Sequence, residues 1–199
     1  TIVEQGINIG KRGGLKAVAV APCVPPMAAP AMPAVNAPNF DDPLIAPSGY
    51  HVGLGISQPF MQLAFHEAQQ SGALCIQVNS STVGLINTGL FKTFLPSLGR
   101  LATRDGLDAP MMIVLKPARP PTVTVGLGTF DPVTKKPIKP LITVGLNDLT
   151  IDFYAMIDDR YARLFSLTAD IALPLSLIFT GCDTVTPALG DLKTLITNI

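Results

Sequence analysis

Residues 161–179 alternate between apolar and other side chains for nineteen positions. Tyr161, Phe165, Leu167, Ala169, Ile171, Leu173, Leu175, Leu177 and Phe179 fall on one parity with Arg163 as the exception, while Ser166, Thr168, Asp170 and Ser176 fall on the other. A period of two is the signature of a strand with one apolar face. At about 3.3 Å per residue such a strand spans roughly 60 Å, against about 20 Å for an ordinary one. A strand of this length has to wrap around or cross an elongated body, which predicts a long, highly curved antiparallel sheet. Pro174 removes a ladder donor and predicts an edge position or a kink. The preceding run, 141–158, is the natural partner, joined by a turn at Asp158, Asp159 and Arg160. Its second half places Leu149, Ile151, Phe153, Ala155 and Ile157 on one side, and its first half, with Ile142, Val144 and Leu146, has the opposite parity. One extra residue at Asn147 and Asp148, a bulge, reconciles the halves and bends the strand.

Two further strands, 111–118 and 122–127, precede this pair and are separated by Pro120 and Pro121. Residues 128–140 form a solvated loop; its lysines, Lys135, Lys136 and Lys139, suit an exposed tip, with contact to lipid headgroups as the alternative. Residues 57–71 read as a helix, with Ser57 as N-cap, Pro59 in the first turn and Gly72 as the stop. At 100° per residue Ile56, Phe60, Met61, Leu63, Ala64, Phe65 and Ala68 cover about half the circumference. Gln58, Gln62, His66, Gln69 and Gln70 fill the other half, and Glu67 is a misfit near the apolar edge. So wide an apolar arc predicts a principal helix lying in a concave sheet, followed by a strand at 73–78. Residues 88–101 read as a short helical segment broken at Pro96. Residues 186–199 read as a second helix, with Thr186 as N-cap and Pro187 at its first position.

The chain divides into three parts. Residues 1–20 are two extended pieces around a turn at Lys11–Gly14, a hairpin or the tail of a preceding domain. Residues 21–47 are rich in Pro and Ala and read as a linker or a surface strap. Residues 48–199 form the main domain, and the chain as a whole reads as a processed form or an excerpt.

Hydrophobic residues make up 48% of the chain and charged residues 14%, so there is more apolar surface than a compact monomer needs to hide. A cavity for lipid, a partner interface or an incomplete domain would each absorb it. Fourteen basic and fourteen acidic residues, with no run of either sign, disfavour nucleic acid, whose phosphates need a clustered basic surface. The longest uncharged stretch, 17–40, contains six prolines and cannot be a spanning helix. Three cysteines allow one internal disulfide and leave one thiol over. Cys75–Cys182 is the preferred pair in an oxidising compartment, and three free thiols are the alternative. His51 and His66 read as surface residues without a nucleophile or acid at triad spacing. The carboxylates Asp148, Asp152, Asp158, Asp159 and Asp170 show no calcium-loop spacing and fall mostly on solvent faces. No catalytic residue, metal site or cofactor is expected, and the chain is read as no enzyme.

Four pieces occur in an order that suggests a family: Gly53-Leu-Gly-Ile-Ser before an aromatic-bearing helix, Ser71-Gly-Ala-Leu-Cys-Ile, Thr88-Gly-Leu-Phe-Lys-Thr-Phe-Leu-Pro96, and Pro120-Pro121-Thr-Val-Thr-Val. From about residue 50 to the end, the chain resembles one barrel of the tubular lipid-binding (TULIP) superfamily, closest to the C-terminal barrel of the bactericidal/permeability-increasing and lipopolysaccharide-binding protein group. The resemblance implies an α+β half-barrel or barrel, its curved sheet wrapped on the principal helix and its closing strands absent. It implies lipid binding or transfer, with phospholipid or fatty acid between helix and sheet, lined by Phe60, Leu63, Ala64, Phe65 and Ala68 from the helix and Phe153, Phe165, Leu167 and Ile171 from the sheet. These side chains closing on one another as a solid core is the alternative for each. It further implies an extracytoplasmic setting, secreted, periplasmic or on the cell envelope, with a membrane surface, protein partners or a second copy as partners. The neutral charge separates the chain from the cationic members, so bactericidal action is not expected. A scaffold or interaction module of an envelope or extracellular assembly is the second reading.

Overall fold

The computed structural model describes residues 2–3, 6–7, 9–11, 13–36, 55–101, 106–131, 134, 137–180, 184–190 and 196–198. Its frame is a curled antiparallel sheet that forms a half-barrel, with few helices. The long hairpin is the spine: β6 (Ile142–Ile157) and β7 (Arg160–Thr180) pair along nearly their whole length. Asp158 and Asp159 both take positive φ, 45° and 60°, the two-residue turn whose twist suits a hairpin. On the far side of β6 lie β4 (Met111–Pro117) and then β5 (Thr122–Val125), and β3 (Ile76–Asn79) pairs with β4. On the far side of β7 lie β8 (Thr184–Leu189) and β9 (Ile196–Asn198). A separate hairpin, β1 (Ile2–Val3) with β2 (Gly6–Ile7), lies closer to the N-terminus than the expected turn at Lys11–Gly14.

The expected bulge is present. The register shifts between Leu146 and Leu149, and Asp148 sits at φ 53°, so both halves of β6 present their apolar residues to the same side. A second shift, opposite Phe153 and Tyr154, places an extra residue at Leu164. It explains the Arg163 exception, because Arg163 and Tyr161 move to the face that carries Tyr154 and Asp152. Pro174 is accommodated as an edge residue. Its carbonyl accepts from Gly190 N at 2.8 Å on the outer side of β7, and a strand residue's N–H and C=O point the same way. The missing donor therefore points to where β8 has just ended.

The C-terminal segment is not the expected helix. Residues 184–189 pair with Leu175–Thr180 as β8, and β9 follows. The exposed ladder of β7 and the β-branched run Thr184, Val185, Thr186 outweigh the capping signal at Thr186, and Pro187 is tolerated on an outer strand. Leu192 and Leu195 of that reading lie outside the described residues.

The first helix, α1 (Gln58–Gln70), begins at Ser57, whose Oγ accepts from Phe60 N, and ends before Gly72 at φ 80°. Its neighbour is β5, along the edge of the sheet. The glutamine arc, expected to face solvent, faces this edge: Leu63, His66, Gln69 and Gln70 are the buried residues of the helix. The reason lies in the segment 117–123, where Pro117, Pro120 and Pro121 have no N–H and leave carbonyls to be satisfied. Gln69 Nε2 donates to Pro117 O at 3.2 Å, Gln58 Nε2 to Val123 O at 2.9 Å, and Gln62 Nε2 to Pro121 O, while Gln62 Oε1 accepts from Val123 N at 2.8 Å. Positions 58, 62 and 69 fall within about 40° of one another on a helix. Their side-chain amides thus replace the peptide groups of a neighbouring strand and close the edge against further pairing. Gln62→Ala is expected to lower stability by about 1–3 kcal/mol, since it leaves the buried Val123 N–H unpaired; urea unfolding measures it.

Residues 17–27 run across the C-terminal half of α1 as a strap. Ala17 N donates to Glu67 Oε2 at 2.6 Å, Ala21 N to Gln70 O at 2.8 Å, and Gln70 exchanges two bonds with Pro25 O and Met27 N, both 3.1 Å. Glu67, the misfit of the helical pattern, is here an acceptor, and the Ala17 N–H, helped by His66, holds its carboxyl below the usual range. The strap is fastened by a disulfide between Cys23 and Cys75. This corrects the Cys75–Cys182 pairing: Cys75 is already bonded at the end of α1, where the strap delivers Cys23. Cys182 lies outside the described residues.

Candidate functional site

The apolar face of the hairpin end carries the aromatic residues. Phe153 of β6 and Phe165 of β7 are register partners, stacked at 4.5 Å between ring centroids with 18° between planes. Phe91 meets Phe153 edge-on at 5.6 Å. Beneath them Ile86, Met111 and Ala155 are buried, with Val78, Leu101, Ile113 and Leu164 packed around.

The segment between β3 and β4 folds over this face. It consists of α2 (Thr88–Phe91), capped by the Asn87 side chain on Leu90 N, and a 3-10 helix, Pro96–Arg100, so the break at Pro96 is as expected. Thr88 fixes the segment. Its N–H donates to Ala109 O, its hydroxyl donates to Leu101 O at 3.0 Å, and the same oxygen accepts from Ala109 N at 2.8 Å. Between the 3-10 helix and β7 is an open trough of about 680 Å³, lined by Leu95, Ser97, Leu98 and Leu101 on one side and Leu164, Phe165 and Leu167 on the other. The spacing Leu95, Leu98, Leu101 follows from a helix with three residues per turn, which stacks every third side chain into one ridge. Large apolar side chains of the same segment stand exposed, among them Leu90 and Phe94.

Of the expected lining, Phe165 and Leu167 border the trough and Phe153 supports it from β6. Ile171 is farther along β7, opposite Leu146. Leu63 is buried and Phe60, Ala64, Phe65 and Ala68 are half-buried on α1, whose neighbour is β5. These five are not brought to Phe153 and Phe165. Leu95, Leu98 and Leu101 fall within the segment 88–101 expected as a short broken helix, and their triplet spacing around Pro96 is the signal that marks them as one ridge.

A smaller hollow of about 300 Å³ lies on the opposite face, where the 126–141 loop meets Thr143, Ala172 and Pro174. Lys135 and Lys136 of that loop lie outside the described residues. The same face carries an ion pair between buried Asp152 and half-buried Lys116. Asp152, 1% exposed, accepts from Lys116 Nζ at 2.8 Å and from Ser166 Oγ at 2.5 Å, with Arg163 Nη1 at 3.9 Å. The Lys116 and Ser166 hydrogen bonds hold the Asp152 carboxyl below its ordinary range, and the bond to Asp152 raises Lys116. Asp152 is therefore not a solvent-facing carboxylate, because its register partners Val114 and Ser166, together with the Lys116 side chain, cover it. His66 is likewise buried rather than on the surface, with Nδ1 3.1 Å from Glu67 Oε1 and Nε2 unpartnered. His51 lies outside the described residues. Among the described residues no three His, Cys, Asp or Glu side chains are grouped as metal ligands, and no helix is long and apolar enough to cross a membrane. No known protein family matches the chain, and no curated protein matches it.

Proposed function

We propose that this protein binds lipid, holding an acyl chain in the trough between the 3-10 helix and β7, without catalysing a reaction. The observation that carries this reading is the trough's lining, six apolar side chains and one serine around about 680 Å³, within the range of small-molecule sites. Each methylene taken from water contributes about 0.8 kcal/mol, so about ten of them give on the order of 8 kcal/mol before ordering costs. The curved half-barrel agrees with a tubular lipid-binding relative, and we carry that resemblance forward as part of the proposal. It differs from the expected arrangement in using the 3-10 helix rather than α1 as the inner wall. The Cys23–Cys75 bridge supports an extracytoplasmic setting, where disulfides persist.

The test is native mass spectrometry of gently purified protein with identification of extracted lipid, joined to displacement of a fluorescent fatty acid. Leu167→Asp, at a position 41% exposed and therefore tolerant of a charge, is expected to weaken probe binding at least tenfold, since burying an unpaired carboxylate against an acyl chain is costly. Lipid-free protein that takes up no probe would overturn the reading.

A second reading, an interaction module, is favoured by one observation. Among the described residues, β7 from Arg160 to Ala169 has a strand partner only on its β6 side. An open edge of that length is a template for an added strand. A defined oligomer in light scattering, together with an empty trough, selects it.

A further inference from the structure

We infer that the trough selects a single-chain anionic lipid, a fatty acid, with its carboxylate held at the rim by Arg100 and Ser97; this rests on the lipid-binding reading above. Capacity sets the number of chains. At about 30 Å³ per methylene, close to the share of liquid volume that one water takes, about 680 Å³ holds on the order of 20 chain carbons. One long acyl chain fills that space, and the second chain of a membrane phospholipid would lie outside it.

The headgroup follows from the geometry of the 3-10 helix. With three residues per turn, side chains at i and i+3 are eclipsed. Leu98 and Leu101 both line the trough, and so does Ser97, so Arg100 leaves the helix on the side of Ser97. Arg100 is exposed and has no ion pair among the described residues. Among the described residues, the other nearby cations are committed. Lys92 lies over Gly99 and pairs with Asp108 at 3.5 Å, and Arg163 is on the opposite face beside Asp152. The rim of an otherwise apolar trough thus carries one hydroxyl donor and one guanidinium, which binds a carboxylate by paired N–H donors.

Binding of palmitate, of the uncharged alcohol of equal length, of lysophosphatidylcholine and of dipalmitoylphosphatidylcholine to delipidated protein tests this. Palmitate is expected to bind at one per chain and at least tenfold tighter than the alcohol. Arg100→Gln is expected to bring that ratio close to one, with Arg100→Lys in between. The diacyl lipid is expected to compete at least tenfold less well than lysophosphatidylcholine. Equal binding of acid and alcohol by the native chain, or equal competition by the diacyl lipid, overturns this inference and leaves lipid binding standing. Failure to bind any of the four overturns both.

Discussion

The double substitution Cys23→Ser, Cys75→Ser is expected to cost about 4 kcal/mol, because the bridge closes a loop with a sequence separation of 52 residues and removes that much entropy from the unfolded chain. The effect should exceed the chain-entropy estimate if the strap also detaches, for the bonds from Ala17, Ala21 and Met27 to α1 are too few to order a segment that forms no helix or strand. Proteolysis within residues 13–36 is the accompanying sign, since an undocked Pro/Ala segment is an open substrate. Urea unfolding of the oxidised chain against the double variant measures the stability term. Non-reducing peptide mapping should recover Cys23 joined to Cys75, and a thiol titration should count one thiol per chain, the third of its three cysteines. A peptide joining Cys75 to Cys182, or an unchanged urea midpoint in the double variant, would show that the strap is not held this way.

The parts of the fold that were legible in the sequence are those in which one local rule decides the structure. Alternation over residues 142–180 fixes both strands of the spine, and the parity change at Asn147 and Asp148 locates the bulge, because a pleated strand has no other way to keep one face apolar. Arg163 was the unexplained letter in that pattern, and the shift at Leu164 that absorbs it has no sequence signature of its own. The orientation of α1 was misread because the helical wheel weighs side-chain polarity alone. Gln58, Gln62 and Gln69 turn inward to meet the edge carbonyls of Val123, Pro121 and Pro117, so a stripe of amides has to be read together with a proline-rich edge segment some fifty residues away. The disulfide was beyond sequence reasoning for a related reason, as three cysteines give no pairing and only the strap's path brings Cys23 to Cys75. For the trough, Phe165 and Leu167 follow from strand parity. Their partners across it depend on how the 88–101 segment folds back, which Thr88 controls through two contacts at long range.

Lys116→Met is the companion prediction of large effect. It leaves Asp152, 1% exposed, with only the Ser166 hydroxyl and a distant Arg163; because the Lys116 side chain is itself 36% exposed, the cost at neutral pH is about 1–3 kcal/mol, below the figure for a fully buried pair. The acid dependence of stability should weaken as well. In the native chain the Asp152 carboxyl is held below its unfolded value by Lys116 and Ser166. Its contribution is therefore complete above about pH 4 and is lost as pH falls through the depressed folded value. Lys116, raised by the same contact, contributes fully below its unfolded value, about 10.4, and loses that contribution as pH rises through the folded one. Without Lys116, the Ser166 hydrogen bond still lowers the Asp152 carboxyl against the opposing effect of burial, so its folded pKa moves back toward the unfolded one. Stability of the variant should then fall less steeply than that of the native chain as pH drops below about 4. Replacing both partners, Lys116→Met with Asp152→Leu, removes the uncompensated charge and should recover most of the loss, while leaving the Ser166 hydroxyl to be satisfied by solvent. Denaturant unfolding of the native chain and the two variants from about pH 2 to pH 8 distinguishes this coupling from a simple loss of packing, which would lower stability by the same amount at every pH.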